Sequence, residues 1–566
     1  PGHAPPTPLR GGCPRTGGQP RRIHRVLHNL SEQTIVEAGT SKRTNREVTI
    51  VDVSAVLSLL TAEDYTIARE VLQRGFAALF FIAFLSAWNQ FPALLGEHGL
   101  TPAPRFIKLT TAAQAPTLFR WKHFSYTDRR LRIVSAIGMI LAASVMLGLP
   151  QTGPAWTTIP VFGLMWWLYF SISSIGQRFY GFGWESLLLE SGFLVGFLGS
   201  HEVAPSLLMI VFLRWFVVRV EFGAGMIKMR GDSSWRDLTA MDYHHQTQPM
   251  PNPFSRRAHL TPAWWHRSET LGSHVVQLIA PWLLFLPQPI ASFAALTIII
   301  TQLALVITGN YAWLNWATIL LAFAGISDSF LAWILGGPWP GWGLSGSSLA
   351  EVAGPSGATD ATGAGGAPAD FPLWWAILIA AFVVWQCVVN VPALRNLFSS
   401  RQLMNASFNR WGLGNAYGAF GSMTESRDEI IIEGTLDPDA SMTSGDWRPY
   451  VFKGKPGDVH RRSPIVAPYH LRLDWLMWFA ALGDYRQSWF YRLLERIGSG
   501  DPQIRTLLGP DPFDGQAPAR VRVRVFTYRY ATSAERRAAA AAGQPRPWWV
   551  RSNPRTMVEP TDLREG

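Results

Sequence analysis

The amino-acid sequence predicts a polytopic α-helical membrane bundle of about nine spans, followed by a β-rich soluble C-terminal domain. Three observations predict it. Hydrophobic residues fill 48 % of the 566 positions and charged residues only 16 %, against roughly 25 % charged in an ordinary soluble domain. Apolar runs recur between residues 75 and 392, many close to the ~20 residues that cross a ~30 Å hydrocarbon layer. Beyond residue 398 those runs give way to short strand-like alternation.

Residues 1–60 stand apart. Their first twenty positions are rich in Pro, Gly and Arg and contain no apolar stretch, so they do not read as a signal peptide. We read 1–60 as a disordered leader that need not be native. The membrane bundle is assigned to 65–395. Its first run, Gly75–Leu95, is followed by runs at 133–149, 158–176, 186–199, 205–222, 275–287, 290–308, 312–336 and 372–392. The runs 186–199 and 275–287 are short for a span and suit tilted, re-entrant or interfacial helices. A polar loop, 225–273, and a flexible loop of Gly, Ala, Ser and Pro, 337–371, interrupt the bundle.

The β-rich domain is assigned to 400–550, with strands at Glu429–Thr435, Pro449–Lys453 and Val521–Tyr530. In the last, Val521, Val523 and Val525 share one face and Arg520, Arg522 and Arg524 the other, read as a solvated face. Asp474–Tyr485 reads as a short helix too apolar to float free, packed on the β-domain or the membrane surface. Residues 551–566 are read as a tail.

The chain carries 26 Trp and 32 Phe, residues that suit membrane–water interfaces as well as cores. Two cysteines exclude a disulfide scaffold and a paired-cysteine redox or zinc site; Cys387, inside the last run, reads as core. The net charge of +11 is assigned to basic loops that anchor helices, and no nucleic-acid partner is expected.

Chemistry concentrates at 219–274. Arg214, Glu221 and Lys228 are spaced seven apart, which places them on one helix face. Ionisable groups at membrane depth cost at least ~2.5 kcal/mol each, so they should face the bundle and pair. Glu185 and Glu190 are the expected partners for Arg214, Arg219 or Lys228. The cluster reads either as a structural ion-pair network or as a buried polar site. Arg230, Asp232, Arg236, Asp237, Asp242 and His244 extend it, as an anion site through the arginines or a metal site through Asp242 and one histidine. Adjacent His244 and His245 cannot both point the same way, so no metal is assigned. His266 and Glu269 face each other on a helix that also carries Trp264 and Trp265, an interfacial signature. No nucleophile elbow, P-loop or dinucleotide fingerprint is present, and no cofactor is expected.

Longer motifs carry a resemblance. MIKMRGDSSWRDLTAMDYHHQTQPMPNP, then WWHRSETLGSHVVQLIAPWLLF, NAYGAFGSMTESRDEIIIEGT, YVFKGKPGDVHRRSPIVAPYHLRLDWLMWFAALGDY and RVRVRVFTYRY are similar to the lipase maturation factor family. The resemblance runs from about Tyr65 to Trp549. It implies a multi-pass membrane protein that assists folding and assembly of secreted lipases or other hydrolases. Its setting would be the endoplasmic reticulum in eukaryotic relatives, or the plasma membrane of a bacterium, which the composition suggests. Its partners would be membrane lipids and the client, with Trp475, Trp478 and Phe479 offering apolar contact. Members are not known as enzymes. A more distant similarity to vitamin K-dependent carboxylase-like proteins implies the alternative, an integral membrane enzyme acting on a lipid or quinone-like substrate.

Overall fold

In the computed structural model, residues 57–336 and 371–562 are described; the leader 1–56 and the loop 337–370 lie outside the described residues. The helical half is arranged around α1 (Thr66–Leu95), a 30-residue helix that ends at Gly96, whose N–H donates to the Pro92 carbonyl. α2 (Asp128–Met146), α3 (Thr158–Ser173) and α4 (Gly183–Val195) follow. Gly192 permits the close approach of α4 to α1, since a Cβ there would lie 2.1 Å from the Phe80 ring. α5 (Leu207–Arg230) leads through α6 (Ala240–Thr247) to α7 (Ala263–Leu278), α8 (Ile290–Thr308), α9 (Leu314–Ala322), α10 (Asp328–Gly336) and α11 (Leu373–Leu397).

The expectation of about nine spans is corrected. Among the described residues, three helices are long and apolar enough to cross a membrane: Glu63–Leu95, Ile290–Thr308 and Leu373–Leu397. The pair Leu314–Gly325 and Asp328–Gly336, bent by 98°, makes a fourth if it counts as one span. The remaining runs fail for stated reasons. α3 has 16 residues, about 24 Å of rise. α4 has 13, and the run at 275–287 is cut between α7 and the short helix Ala280–Leu283. α2 opens with Asp128, Arg129, Arg130 and Arg132, and α5 carries Arg214, Arg219, Glu221, Lys228 and Arg230. Cys387, read as core, is exposed on α11 beside exposed Val384, Val388 and Val391. A helix apolar on all sides does not reveal which side packs.

The C-terminal half holds a four-stranded antiparallel sheet of order β2-β1-β3-β4, with β1 Arg427–Thr435, β2 Arg448–Pro449, β3 Arg520–Tyr530 and β4 Trp549–Thr561. In register, Ile430 faces Val525 and Ile432 faces Val523. β2 has only two residues, Arg448–Pro449, so of the run expected from Pro449 to Lys453 it keeps Pro449 alone. β4 occupies most of the segment read as a tail; Pro554 and Pro560 hid it, and an edge strand tolerates proline. The arginine face of β3 is not wholly solvated. Arg522 is buried, pairs with Glu433 at 2.7 Å and stacks 4.2 Å over Trp447, while Arg524 takes the other Glu433 oxygen at 2.6 Å.

α12 (Arg472–Ala481), α13 (Ser488–Gly498) and α14 (Ser533–Ala541) complete this half. It does not separate from the helices: one buried cluster runs from Phe80 and Trp313 through Trp475 to Ile432 and Val523. The segment 412–417 is fixed by Gly414, which has φ +68° and would place a Cβ 2.5 Å from the Val389 carbonyl. Gly414→Ala is expected to destabilise the protein by about 2 kcal/mol or more, from the left-handed backbone and the clash. Thermal unfolding checks this against Gly457→Ala, whose Cβ meets nothing within 4 Å and which should melt as the wild type does.

Candidate functional site

The buried charges of the helical half are distributed over separate partners. Glu190, fully buried on α4, pairs with Arg219 at 2.7 Å. It also accepts hydrogen bonds from the backbone N–H groups of Gly414 and Asn415, from Asn415 Nδ2 and from the Tyr417 hydroxyl. Glu185, five residues earlier on the same helix and so about 140° round it, turns to the C-terminal half instead. It pairs with Arg472 at 2.7 Å and accepts from the Tyr169 hydroxyl at 2.5 Å. Arg214 reaches neither carboxylate; it donates to the Ala324 carbonyl at 2.9 Å and the Tyr65 hydroxyl at 2.6 Å.

Arg472 was not singled out from sequence, because nothing in its local spacing marks it. Its guanidinium lies 3.4 Å from the centre of the Tyr180 ring and donates to the Phe179 carbonyl. Burial alone would lower its pKa, but the Glu185 carboxylate beside it holds it above the ordinary value. His470, in the same junction, is pushed down to about 4 chiefly by burial and then by the Arg472 charge. The Trp184 indole N–H donates to His470 Nδ1 at 3.3 Å, as a neutral imidazole requires.

Glu221 and Lys228 face a cavity of about 370 Å³ between α5, α7, α8 and α9, closed above by Trp235, Tyr311 and Phe420. Gln302 Nε2 donates to Glu221 Oε1 at 2.5 Å, and Asn315 Nδ2 donates to Gln302 Oε1 at 2.7 Å. The Lys228 ammonium sits 4.2 Å over the Trp235 ring and is buried. Among the described residues it has no carboxylate within 4 Å and no hydrogen-bond acceptor. Glu221 Oε2 and the Nδ1 atoms of His244 and His245 are likewise buried without a hydrogen-bond partner.

The segment after α5 is held by local caps and by bonds to the chain beyond α11. Arg230 donates to the Leu397 carbonyl and to Gln402 Oε1. Asp232 caps the turn at Ser234 and accepts from the Met423 N–H. Arg236 folds back onto the Met229 carbonyl, and Asp237 is exposed. His266 and Glu269 do share a face of α7, but each pairs across to α6: His266 Nδ1 with Asp242 at 2.8 Å, and His245 Nε2 with Glu269 at 3.3 Å. His244 Nε2 meets the Tyr311 hydroxyl at 2.9 Å. Burial, reinforced by His245 and Lys228 nearby, holds His244 well below its usual pKa, so it is neutral. No group of three His, Cys, Asp or Glu able to hold a metal ion occurs among the described residues.

Of the aromatic trio on α12, Trp475 is buried with its ring 4.6 Å from that of Trp184. Trp478 is half-buried and donates to the Thr247 carbonyl at 3.0 Å. Phe479 is exposed. Burial raises the pKa of Asp474, although its carboxylate accepts from the N–H groups of Gly454 and Lys455.

The family model described as the lipase maturation factor transmembrane domain matches residues 67–333, and that described as the lipase maturation factor C-terminal domain matches 413–559. Lipase maturation factor 1 of Mus musculus is 37 % identical over 480 residues, covering 81 % of each chain. That of Homo sapiens is 35 % identical, covering 88 % of this chain and 89 % of its own. Lipase maturation factor 2 of Gallus gallus is 26 % identical, covering 86 % and 80 %. No solved structure matches the chain. These relatives are vertebrate proteins, and the matches give no support to a bacterial source or a carboxylase-like relation. With both domains matched in order and the helical half joined to the sheet, the chain belongs to the lipase maturation factor family.

Proposed function

We propose that this protein assists the folding or assembly of secreted lipases or other hydrolases, as a multi-pass protein of the endoplasmic reticulum or an equivalent membrane. The observation that carries the reading is the relation to lipase maturation factor 1 over most of both chains. The continuous core between helices and sheet supports it, since a client held by one half is then held at a fixed distance from the membrane. With no nucleotide motif in the sequence, the assistance runs on binding energy. Trp475 and Trp478 anchor α12, and Phe479 is the member of the trio that offers a client apolar surface.

The test is expression of the chain in cells lacking their own maturation factor, with a secreted dimeric lipase as reporter. Lipase activity per mass of secreted enzyme should rise severalfold over a vector control, and an equal specific activity in both would sink the reading. Phe479→Asp should remove about 2 kcal/mol of contact, the scale of an interface anchor, and lower specific activity without lowering factor abundance. Full activity in that variant would move the client contact off α12.

A further inference from the structure

We infer that the cavity beside Lys228 is a binding site for a single-chain anionic amphiphile taken from the bilayer. The ammonium of Lys228 would meet the acid head group, and Val276, Ile300, Leu305 and Leu314 would line the chain. The inference stands whether or not the client reading holds.

Four observations converge. Lys228 is buried and aimed into the cavity, and its ammonium has only the Trp235 ring against it, at 4.2 Å. A cation over an aromatic face keeps its hydrogen-bonding protons free for an oxygen acceptor. A buried ammonium without an acceptor is costly, and an acid oxygen at this position removes that cost. Glu221 makes no close ion pair with it: Gln302 takes one of its oxygens and the other is buried without a hydrogen-bond partner, so the Glu221 charge reaches Lys228 only at longer range and supplies no hydrogen bond.

The entrance identifies the source. The cavity opens between α7 and α8, where Ile300 is 57 % exposed and Ala304 is also exposed. α8 is one of the helices long and apolar enough to cross a membrane. A mouth on such a face admits molecules from the hydrocarbon layer rather than from water. At α7 the rim is Gly272, where a Cβ meets nothing within 4 Å, so no protein atom fills the gap.

Depth and size fix the class. Trp264 and Trp265, exposed at the start of α7, mark the head-group level, on the same side as the polar end formed by Lys228 and His245. The volume, about 370 Å³, lies at the low end of ligand cavities of roughly 300–1,000 Å³, which favours one chain over two. A carboxylate or a phosphate head would satisfy Lys228 equally, so a fatty acid and a lysophospholipid share the required chemistry.

The probe is palmitic acid carrying a diazirine on its chain, photolysed with the full-length protein in phosphatidylcholine nanodiscs and located by peptide mass spectrometry. Adducts should fall on α7 and α8. Lys228→Met should lower labelling about tenfold, the loss of one hydrogen bond to a charged group. Gly272→Trp closes the mouth at an exposed position. It should lower labelling similarly while melting as the wild type does, which separates loss of the site from loss of the fold. Unlabelled palmitate and lysophosphatidate are the competing arms. Displacement at lower concentration by one names a carboxylate or a phosphate ligand, and either supports the site. Equal displacement by hexadecanol, which lacks the charge, would overturn it, as would undiminished labelling in the Gly272→Trp protein.

Discussion

Arg472→Met should destabilise the protein by about 3–5 kcal/mol, the cost of leaving a buried carboxylate without its cation. Arg472 and Glu185 are fully buried and lie 2.7 Å apart, so solvent cannot screen the orphaned charge. The same substitution removes the stacking on Tyr180 and the bond to the Phe179 carbonyl, which tie α12 to the helical half. The expected result is a lowered melting temperature in detergent and loss of the folded protein from membranes. The double variant Glu185→Gln/Arg472→Met should recover most of the stability, because a neutral buried pair carries no uncompensated charge. A single variant that melts with the wild type would show that the junction is held elsewhere.

Glu190→Ala should be at least as severe. The carboxylate is fully buried and serves Arg219, two backbone N–H groups, the Asn415 amide and the Tyr417 hydroxyl. Its removal strands one buried cation, about 3–5 kcal/mol, and leaves several donors unpaired at about 1–3 kcal/mol each. That total rivals the roughly 5–15 kcal/mol that holds a typical domain folded, so the variant should not accumulate. Glu190→Gln keeps one acceptor oxygen and should give an intermediate abundance. Limited proteolysis localises the effect: cleavage should begin in 412–417, the segment Glu190 organises. Wild-type proteolysis in Glu190→Gln would refute the assignment.

These two carboxylates lie about 1.4 helical turns apart and so face different sides of α4, and they show how far the sequence could be read. The seven-residue spacing of Arg214, Glu221 and Lys228 marks a helix face that turns inward, and Glu190 was among the partners expected for Arg219. The pairing of Glu185 with Arg472 was not legible, since the arginine sits far along the chain and no local period points to it. Trp475, read as a surface for clients, is part of that junction because Trp184 packs on it.

The sequence by itself determined the family, the helical and sheet-bearing halves, β1 and β3 with their apolar faces, and the shared, inward-facing side of α5 that carries Arg214, Glu221 and Lys228. These follow from composition, residue period and long motifs, which are local properties of the chain. Only the tertiary structure decided that, among the described residues, three or four helices suit a membrane, that proline-bearing β4 closes the sheet, and that the Lys228 ammonium faces a cavity with no hydrogen-bond acceptor beside it. A protein interior is as apolar as lipid, so hydropathy cannot tell which of the two surrounds a helix. The partner of a buried charge is set by which elements the topology brings together, not by the residues beside it.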